Sequence, residues 1–174
     1  LLSGKRGEGK STLASQIVAE ALEQEKNIFL YSGEMPAYQV KNWLNLQIAG
    51  NEHIITKTDE YGVERAYLST GTIEKINAWY HDRAYIFDNS AVDDEFSGLL
   101  DTITEAICRY GIQLVCIDNL MTAMDCDAKS DLYRQQSNFV KSLQKMAQRY
   151  NVAVILVAHP KKSNNDFDND TVSG

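Results

Sequence analysis

The sequence predicts an α/β protein with a mostly parallel sheet flanked by helices, and two observations lead to this fold class. Short apolar runs, the usual pattern of strands covered on both faces, alternate along the chain with segments whose apolar residues recur at helical spacing. A glycine-rich segment near the start leads directly into one of these helical segments. Strands that alternate with helices form parallel sheets through right-handed crossovers, so we expect one such sheet here.

The length of 174 residues, with 44% hydrophobic and 24% charged residues, fits a single globular domain with its own core. A net charge of −7 excludes a surface that is basic throughout, so contact with nucleic acid must come from local loops or a shared channel. The three cysteines form no C-x-x-C pair, which favours free thiols in a reducing compartment over a metal site. The sequence shows no signal peptide and no apolar run of membrane length, and we expect a soluble, cytoplasmic protein.

A phosphate-binding template, G-x-x-x-x-G-K-[ST], is filled at every fixed position by Gly4-Lys5-Arg6-Gly7-Glu8-Gly9-Lys10-Ser11, which Thr12 follows. Glycines let such a loop curl so that backbone N–H groups point at phosphate oxygens, and the next helix adds the positive end of its dipole. Lys10 can then reach the β- and γ-phosphates, and the Ser11 hydroxyl can bind Mg²⁺. The motif predicts a nucleotide-phosphate site; its alternative is a glycine-rich surface turn that matches by chance.

The first half of the chain contains one predicted strand and three predicted helices. They are a helix over Leu13–Glu25, a strand over Ile28–Tyr31, a helix from Pro36 to about Ala49, and a helix over Thr72–Tyr80. The first helix is indicated by Leu13, Ile17 and Ala21, with Ala14, Val18 and Leu22 alongside them, as one stripe packed on a sheet. Pro36 suits the first turn of the second helix. Residues 52–68 allow either a hairpin or an irregular insertion.

The second half continues the alternation. Its predicted elements are a strand over Ala84–Asp88, a helix whose apolar residues run from Phe96 to Tyr110, a strand over Ile112–Ile117, a helix from about Asp131 to Tyr150, and a strand over Val152–Ala158. Asn89 and Ser90 offer caps for the first of these helices, and Gly111 fits its C-terminal stop. The tail from Ser163 to Gly174 holds few apolar residues and is predicted to be a mobile loop.

Three polar residues follow predicted strands, at the edge where parallel sheets bind ligands. Asp118 follows an apolar strand, a pattern that brings a carboxylate to the Mg²⁺ side of phosphate-loop enzymes; its alternative is a turn former. Glu34 can orient and deprotonate an attacking water, or it can be a carboxylate favoured by the start of a helix. His159 can contact the γ-phosphate, or it can be a satisfied histidine at a strand end.

These residues resemble a known family, the hexameric replicative DNA helicases with a RecA-like motor, which include bacterial DnaB, the phage primase–helicases and mitochondrial Twinkle. The resemblance rests on Ser3 to Thr12, Tyr31-Ser32-Gly33-Glu34-Met35, Leu114 to Leu120, and the strand that ends in His159-Pro160-Lys161-Lys162. The first motif is shared by many NTPases, whereas the second and the last are more discriminating. His159 looks more like the phage and Twinkle branch than the bacterial one.

The resemblance implies a RecA-like P-loop fold, ATP and Mg²⁺ as cofactors, and a role for each matching residue. The implied roles are phosphate and Mg²⁺ binding for Lys10, Ser11 and Thr12, the catalytic glutamate for Glu34, the Walker B aspartate for Asp118, and the γ-phosphate sensor for His159. It also implies single-stranded DNA and further copies of the chain in a hexameric ring as partners, with a primase or a helicase loader as a further candidate and no membrane.

Two loops would face the DNA in this family, at about Met121 to Ser130 and about Lys161 to Gly174. The best candidates there for contacts with DNA phosphates are Lys129, Lys161 and Lys162. Neither loop forms a convincing basic patch, because both also carry several aspartates. The expectation of DNA binding therefore comes from the resemblance and not from a basic patch in these loops.

We interpret residues 1–174 as a single RecA-like ATPase domain and as a fragment, with the first strand cut short and the arginine-finger region of the family missing from the C-terminal end. The expected function is the motor domain of a replicative DNA helicase, which hydrolyses Mg-ATP to translocate on single-stranded DNA. The alternatives are a RecA- or KaiC-like ATPase without unwinding activity, a small-molecule P-loop kinase, and a nucleotide-binding module that is not an enzyme.

Overall fold

The computed structural model describes residues 1–4, 7–89, 98–123 and 132–158. The strands, in chain order, are β1 (Leu2–Ser3), β2 (Ile28–Ser32), β3 (Ile55–Thr58), β4 (Glu64–Tyr67), β5 (Ala84–Ile86), β6 (Leu114–Asp118) and β7 (Ala153–Ala158). The helices are α1 (Lys10–Glu23), α2 (Ala37–Ala49), α3 (Thr70–Trp79), α4 (Leu99–Tyr110) and α5 (Leu132–Tyr150), and a 3₁₀ turn spans Asn51–His53. Among the described residues, no helix combines the length and apolar character that crossing a membrane requires.

Five strands form one sheet in the order β1-β7-β6-β2-β5, and every neighbouring pair is parallel. The predicted α/β fold with a mostly parallel sheet is therefore confirmed. Strand β6 lies at the centre, and its last residue, Asp118, is opposite Ser32 of β2 and Val157 of β7. Strand β1 pairs with the end of β7. The carboxyl ends of β1, β7, β6 and β2 are consequently neighbours along one edge of the sheet.

The sheet carries one hydrophobic core on each face, because successive strand residues point to opposite sides. In β2, Ile28 and Leu30 belong to the core that includes residues of α1, α2 and α3. Phe29 and Tyr31 belong to the core that includes residues of α4 and α5. Strand β6 alternates in the same way. Covering on both faces explains why these strands appear in the sequence as unbroken apolar runs rather than as alternating patterns.

Helix α1 buries a narrower stripe than the sequence suggested. Residues four apart lie on one side of a helix, and the buried line is Ala14, Val18 and Leu22, each no more than 2% exposed. Leu13 and Ile17, which were predicted to pack beside them, are 50% and 42% exposed, so that part of the prediction was wrong. Each residue advances by about 100° around the helix, so the line of Leu13 and Ile17 points away from the sheet when the line of Ala14 faces it.

Helix α4 begins at Leu99, directly after Gly98, so the prediction that Asn89 and Ser90 cap this helix was wrong. Ser90 lies outside the described residues. The side-chain amide of Asn89 donates instead to the last carbonyl of β2, at 2.6 Å, and so serves the edge of the sheet. The predicted C-terminal stop is confirmed, because Gly111 has a φ of 63° and ends the helix in the left-handed conformation.

The hairpin was the correct alternative for residues 52–68, since β3 and β4 pair antiparallel. One carboxylate organises the turn between them. Asp59 accepts hydrogen bonds from the backbone N–H groups of Tyr61 and Val63, both at 3.0 Å, and from Nε of Arg65 at 2.8 Å. The Arg65 guanidinium, helped by these N–H groups, lowers the pKa of Asp59.

A buried polar network joins α2 to the end of α3. The Tyr80 hydroxyl lies 2.9 Å from Oδ1 of Asn45 and 2.8 Å from Oδ1 of Asn77, and its single proton is shared between these two acceptors. Asn45 is 1% exposed and Tyr80 is 5% exposed, so water cannot replace these bonds. Burial raises the pKa of Tyr80 to about 12, because the phenolate would lose its hydration.

Replacing Tyr80 with phenylalanine should lower the free energy of unfolding by about 1–3 kcal/mol at pH 7, because it leaves buried oxygens without their donor. The raised pKa of Tyr80 leads to a second prediction, which concerns how the free energy of unfolding depends on pH. The neutral hydroxyl stabilises the fold fully below the ordinary value of 10, and this contribution is lost as the pH rises towards 12. Chemical denaturation across this range should therefore show the difference between wild type and Tyr80→Phe shrinking.

Tyr61 provides a matched control for this prediction, because it is 82% exposed. Tyr61→Phe should leave the unfolding free energy within about 0.5 kcal/mol of wild type. A Tyr80→Phe protein as stable as wild type at pH 7, or a difference that grows between pH 10 and pH 12, would contradict the assigned role of the buried hydroxyl.

Candidate active site

The glycine-rich loop connects β1 to α1 at the carboxyl edge of the sheet. Gly7 and Gly9 have φ values of 85° and 76°, which side chains rarely allow. A Cβ on either glycine would meet no atom within 4 Å, so backbone conformation, rather than lack of space, requires glycine here. The turn at Gly9 lets α1 begin at Lys10, earlier than the predicted start at Leu13. The N–H groups of the first helical turn are thereby next to the loop, where the start of a helix favours an anion.

Lys10 is buried although it carries a charge, with only 7% of the residue exposed. Its Nζ donates to the carbonyl oxygen of Gly4 at 2.6 Å, across the base of the loop. Lysine is almost never fully buried unless its ammonium has partners, and this bond supplies one. The contact places a positive charge within the loop rather than in solvent, where it can meet an anion that binds there.

Ser11 and Asp118 come together although 107 positions separate them in the chain. The Ser11 hydroxyl on α1 donates to Oδ2 of Asp118 at 2.6 Å, at the end of β6. Hydroxyl and carboxylate oxygens are hard ligands of the kind that Mg²⁺ prefers, usually together with waters and substrate phosphates. The chemistry of this pair therefore fits a Mg²⁺ ion beside the loop.

Glu34 lies two residues beyond the end of β2, the strand that pairs with β6. The last residue of β2, Ser32, is opposite Asp118, and its hydroxyl accepts a hydrogen bond from the N–H of Met35 at 3.1 Å, closing the turn. Oε1 of Glu34 accepts a hydrogen bond from the side-chain amide of Asn119 at 2.7 Å. A carboxylate that is exposed yet oriented in this way can act on a water at the same edge.

Asn119 is a part of the site that sequence reasoning missed. It follows Asp118 directly and is 2% exposed, and its side chain contacts both Glu34 and the backbone of the next turn. A signal was available, since asparagine after a strand commonly bonds to backbone groups two residues on. The contact with Glu34 left no such signal in the sequence, because the two residues are 85 positions apart and follow different strands.

The structure places four of the five residues with predicted catalytic or metal-binding roles at one edge of the sheet, namely Lys10, Ser11, Glu34 and Asp118. The other described residues of the motif lie in the loop or the first turn of α1; they are Gly4, Gly7, Glu8, Gly9 and Thr12. Six predicted residues lie outside the described part of the chain, namely Lys5, Arg6, Lys129, His159, Lys161 and Lys162. Strand β7, which ends at Ala158, lies between β1 and β6.

Many solved structures, including the following two, are similar to this fold. A DnaB-like replicative helicase, described with its interactions with primase, is 17% identical, with a TM-score of 0.69 over 98% of this chain and 43% of that one. A second solved structure, described as an ATPase domain, is also 17% identical, with a TM-score of 0.68 over 92% of this chain and 56% of that one. This chain thus spans about half the length of the proteins it matches. At this identity the likeness shows the fold alone, which is RecA-like.

A family comparison covers almost the whole chain. The family model described as an AAA domain matches residues 1–165, a range that includes the loop, Glu34 and Asp118. The phosphate-binding motif, the RecA-like fold and this match agree with one another. The chain belongs to the AAA domain family of P-loop ATPases.

Proposed function

We propose that this chain is the ATPase motor domain of a replicative DNA helicase of the DnaB and Twinkle type, which hydrolyses Mg-ATP to translocate on single-stranded DNA. The observation that carries the proposal is the assembly of Lys10, the Ser11–Asp118 pair and Glu34 at one edge of the sheet. The RecA-like fold shared with a DnaB-like replicative helicase supports the choice among ATPase classes.

Each of these residues has a separate role in the proposed hydrolysis. The loop N–H groups and the Lys10 ammonium bind the phosphates and offset their negative charge. Ser11 and Asp118 would hold Mg²⁺, which when bound neutralises charge on the β- and γ-phosphate oxygens. Glu34 orients a water for attack on the γ-phosphorus and accepts its proton. Positioning and electrostatics of this kind account for most of the catalysis in phosphoryl transfer.

The proposed contacts with single-stranded DNA and with other copies of the protein follow from the resemblance to replicative helicases. Lys129, Lys161 and Lys162 would contact the phosphates of single-stranded DNA, and His159 would report the state of the γ-phosphate to the loop behind it. Further copies of the complete protein in a ring would supply an arginine in trans, which in related chemistry raises the rate by about 10³- to 10⁵-fold. A primase or a helicase loader is a further candidate partner.

The decisive experiment measures ATP hydrolysis and strand displacement by the complete protein on a forked DNA duplex. We expect single-stranded DNA to stimulate hydrolysis, and we expect displacement that requires hydrolysable ATP and stops with Lys10→Ala. Stimulated hydrolysis without displacement would overturn the helicase proposal and favour an ATPase of the RecA type. A rate that responds to a metabolite and not to DNA would overturn it in favour of a small-molecule kinase.

A further inference from the structure

We infer that Asn119 is a positioning residue for Glu34, which holds the glutamate carboxylate in its working orientation and ties it to the turn after β6. The inference rests on the proposed function, in which Glu34 acts on the attacking water. Nδ2 of Asn119 donates to Oε1 of Glu34 at 2.7 Å. A hydrogen bond to a charged acceptor is stronger and more directional than a neutral one, so it limits how far the carboxylate can rotate.

The orientation of the Asn119 amide is set by its surroundings. Its Oδ1 accepts hydrogen bonds from the N–H groups of Met121 at 3.0 Å and Thr122 at 3.2 Å. The reversed amide would direct its NH₂ group at these donors and its oxygen at the Glu34 carboxylate, so every contact would become repulsive. Because the residue is 2% exposed, water cannot relieve such a conflict. The donor therefore always faces Glu34.

The turn that holds Asn119 is itself fixed to β2, the strand that leads to Glu34. The Tyr31 hydroxyl donates to the carbonyl of Thr122 at 2.5 Å, and the Thr122 hydroxyl donates to the carbonyl of Asn119 at 3.1 Å. A Cβ on Gly33 would collide with the Thr122 side chain, so glycine lets the turn approach the backbone beside Glu34. Asn119 thus joins the catalytic glutamate to a turn whose own position is closely constrained.

Asn119→Asp tests the inference with little change in shape. The new side chain keeps an oxygen that accepts from the turn, but it replaces the donor to Glu34 with a carboxylate that repels it. In the complete protein, we expect kcat to fall by about 10- to 100-fold, while KM and the Kd of a fluorescent ATP analogue stay unchanged. Asn42→Asp is the matched control, because it makes the same change of side chain at an exposed position on α2. It should keep kcat near wild type.

A double-mutant cycle separates positioning from general damage. If Asn119 acts through Glu34, then Asn119→Asp should cause no further loss of kcat in a Glu34→Gln background. Without nucleotide, Asn119→Asp should lower Tm by about 2–4 °C, as expected for loss of one such contact in a chain of this size. The double variant should recover this loss, because the glutamine amide can donate to the introduced carboxylate.

The outcomes distinguish this inference from the proposed function. An unchanged kcat in Asn119→Asp, or an equal loss in the wild-type and Glu34→Gln backgrounds, would overturn the positioning role even if the protein is a helicase. A fall in Tm that the double variant does not recover would also overturn it. A wild-type protein without ATPase activity would instead remove the proposed function, while the Tm cycle would still report on the contact itself.

Discussion

Replacing Glu34 with glutamine should leave ATP bound but almost unhydrolysed. Glutamine has the size of glutamate and can still orient a water, but it cannot accept a proton from it. Loss of a general base typically lowers the rate by about 10²- to 10⁴-fold, so we expect kcat to fall by that factor. The Kd of an ATP analogue should not change, because in the proposed function Lys10, Ser11 and Asp118 would hold the nucleotide and its Mg²⁺, and their hydrogen bonds do not involve this carboxylate.

Glu74→Gln is a suitable control for this prediction, since it removes the same charge from an exposed position on α3. It should turn over at the wild-type rate. The measurement is steady-state phosphate release by the complete protein with single-stranded DNA, together with equilibrium binding of the analogue. A Glu34→Gln protein that hydrolyses ATP as fast as wild type would remove Glu34 from the role of base.

The parts of this site that could be predicted are those that leave a local pattern. The loop motif reveals itself because its glycines, lysine and serine must stand at fixed spacing around one phosphate group. Glu34 and Asp118 could be placed because parallel strands end at one edge, so a polar residue after each buried run arrives at the same place. Neither inference needs any knowledge of which strands are neighbours.

Asn119 could not be placed in this way, because its contact depends on strand order and register. Only when β2 lies beside β6, with Ser32 opposite Asp118, does Asn119, directly after β6, come within reach of Glu34, two residues after β2. The apolar pattern of the two strands is compatible with several orders of the sheet. The hydrogen bond between Asn119 and Glu34 therefore depends on the pairing of β2 with β6, which the local sequence does not predict.

The errors in the fold have a similar origin. Helix α1 has enough apolar residues for two stripes, and periodicity alone cannot tell which of them the sheet covers; Leu13 and Ile17 proved to be exposed. Asparagine is a residue type that often caps helices, but the side-chain amide of Asn89 donates to the last carbonyl of β2. In both cases a local preference gave way to a contact between elements that are distant in sequence.

Replacing Lys10 with alanine should remove both binding and hydrolysis, in contrast to Glu34→Gln. Two unit charges about 4 Å apart interact by about 4 kcal/mol near a protein surface, which corresponds to about a 10³-fold loss of nucleotide affinity. The 7% exposure of Lys10 indicates that solvent would screen this attraction only weakly. Phosphate release should consequently fall below detection, and single-stranded DNA should not restore it. Equilibrium binding of the ATP analogue provides the second measurement.

Lys75→Ala is the control, because it removes the same charge from an exposed position on α3. It should bind and hydrolyse ATP as wild type does. This result would show that the loss in Lys10→Ala does not come from the change in net charge.

Lys10→Arg is the more demanding test of the geometry. The guanidinium keeps the charge, but it is a rigid planar fork rather than a compact ammonium, and it cannot make the single short bond to the Gly4 carbonyl in the same space. Lys10→Arg should therefore resemble Lys10→Ala in turnover. Wild-type binding by Lys10→Ala would mean that nucleotide phosphates do not bind at this loop.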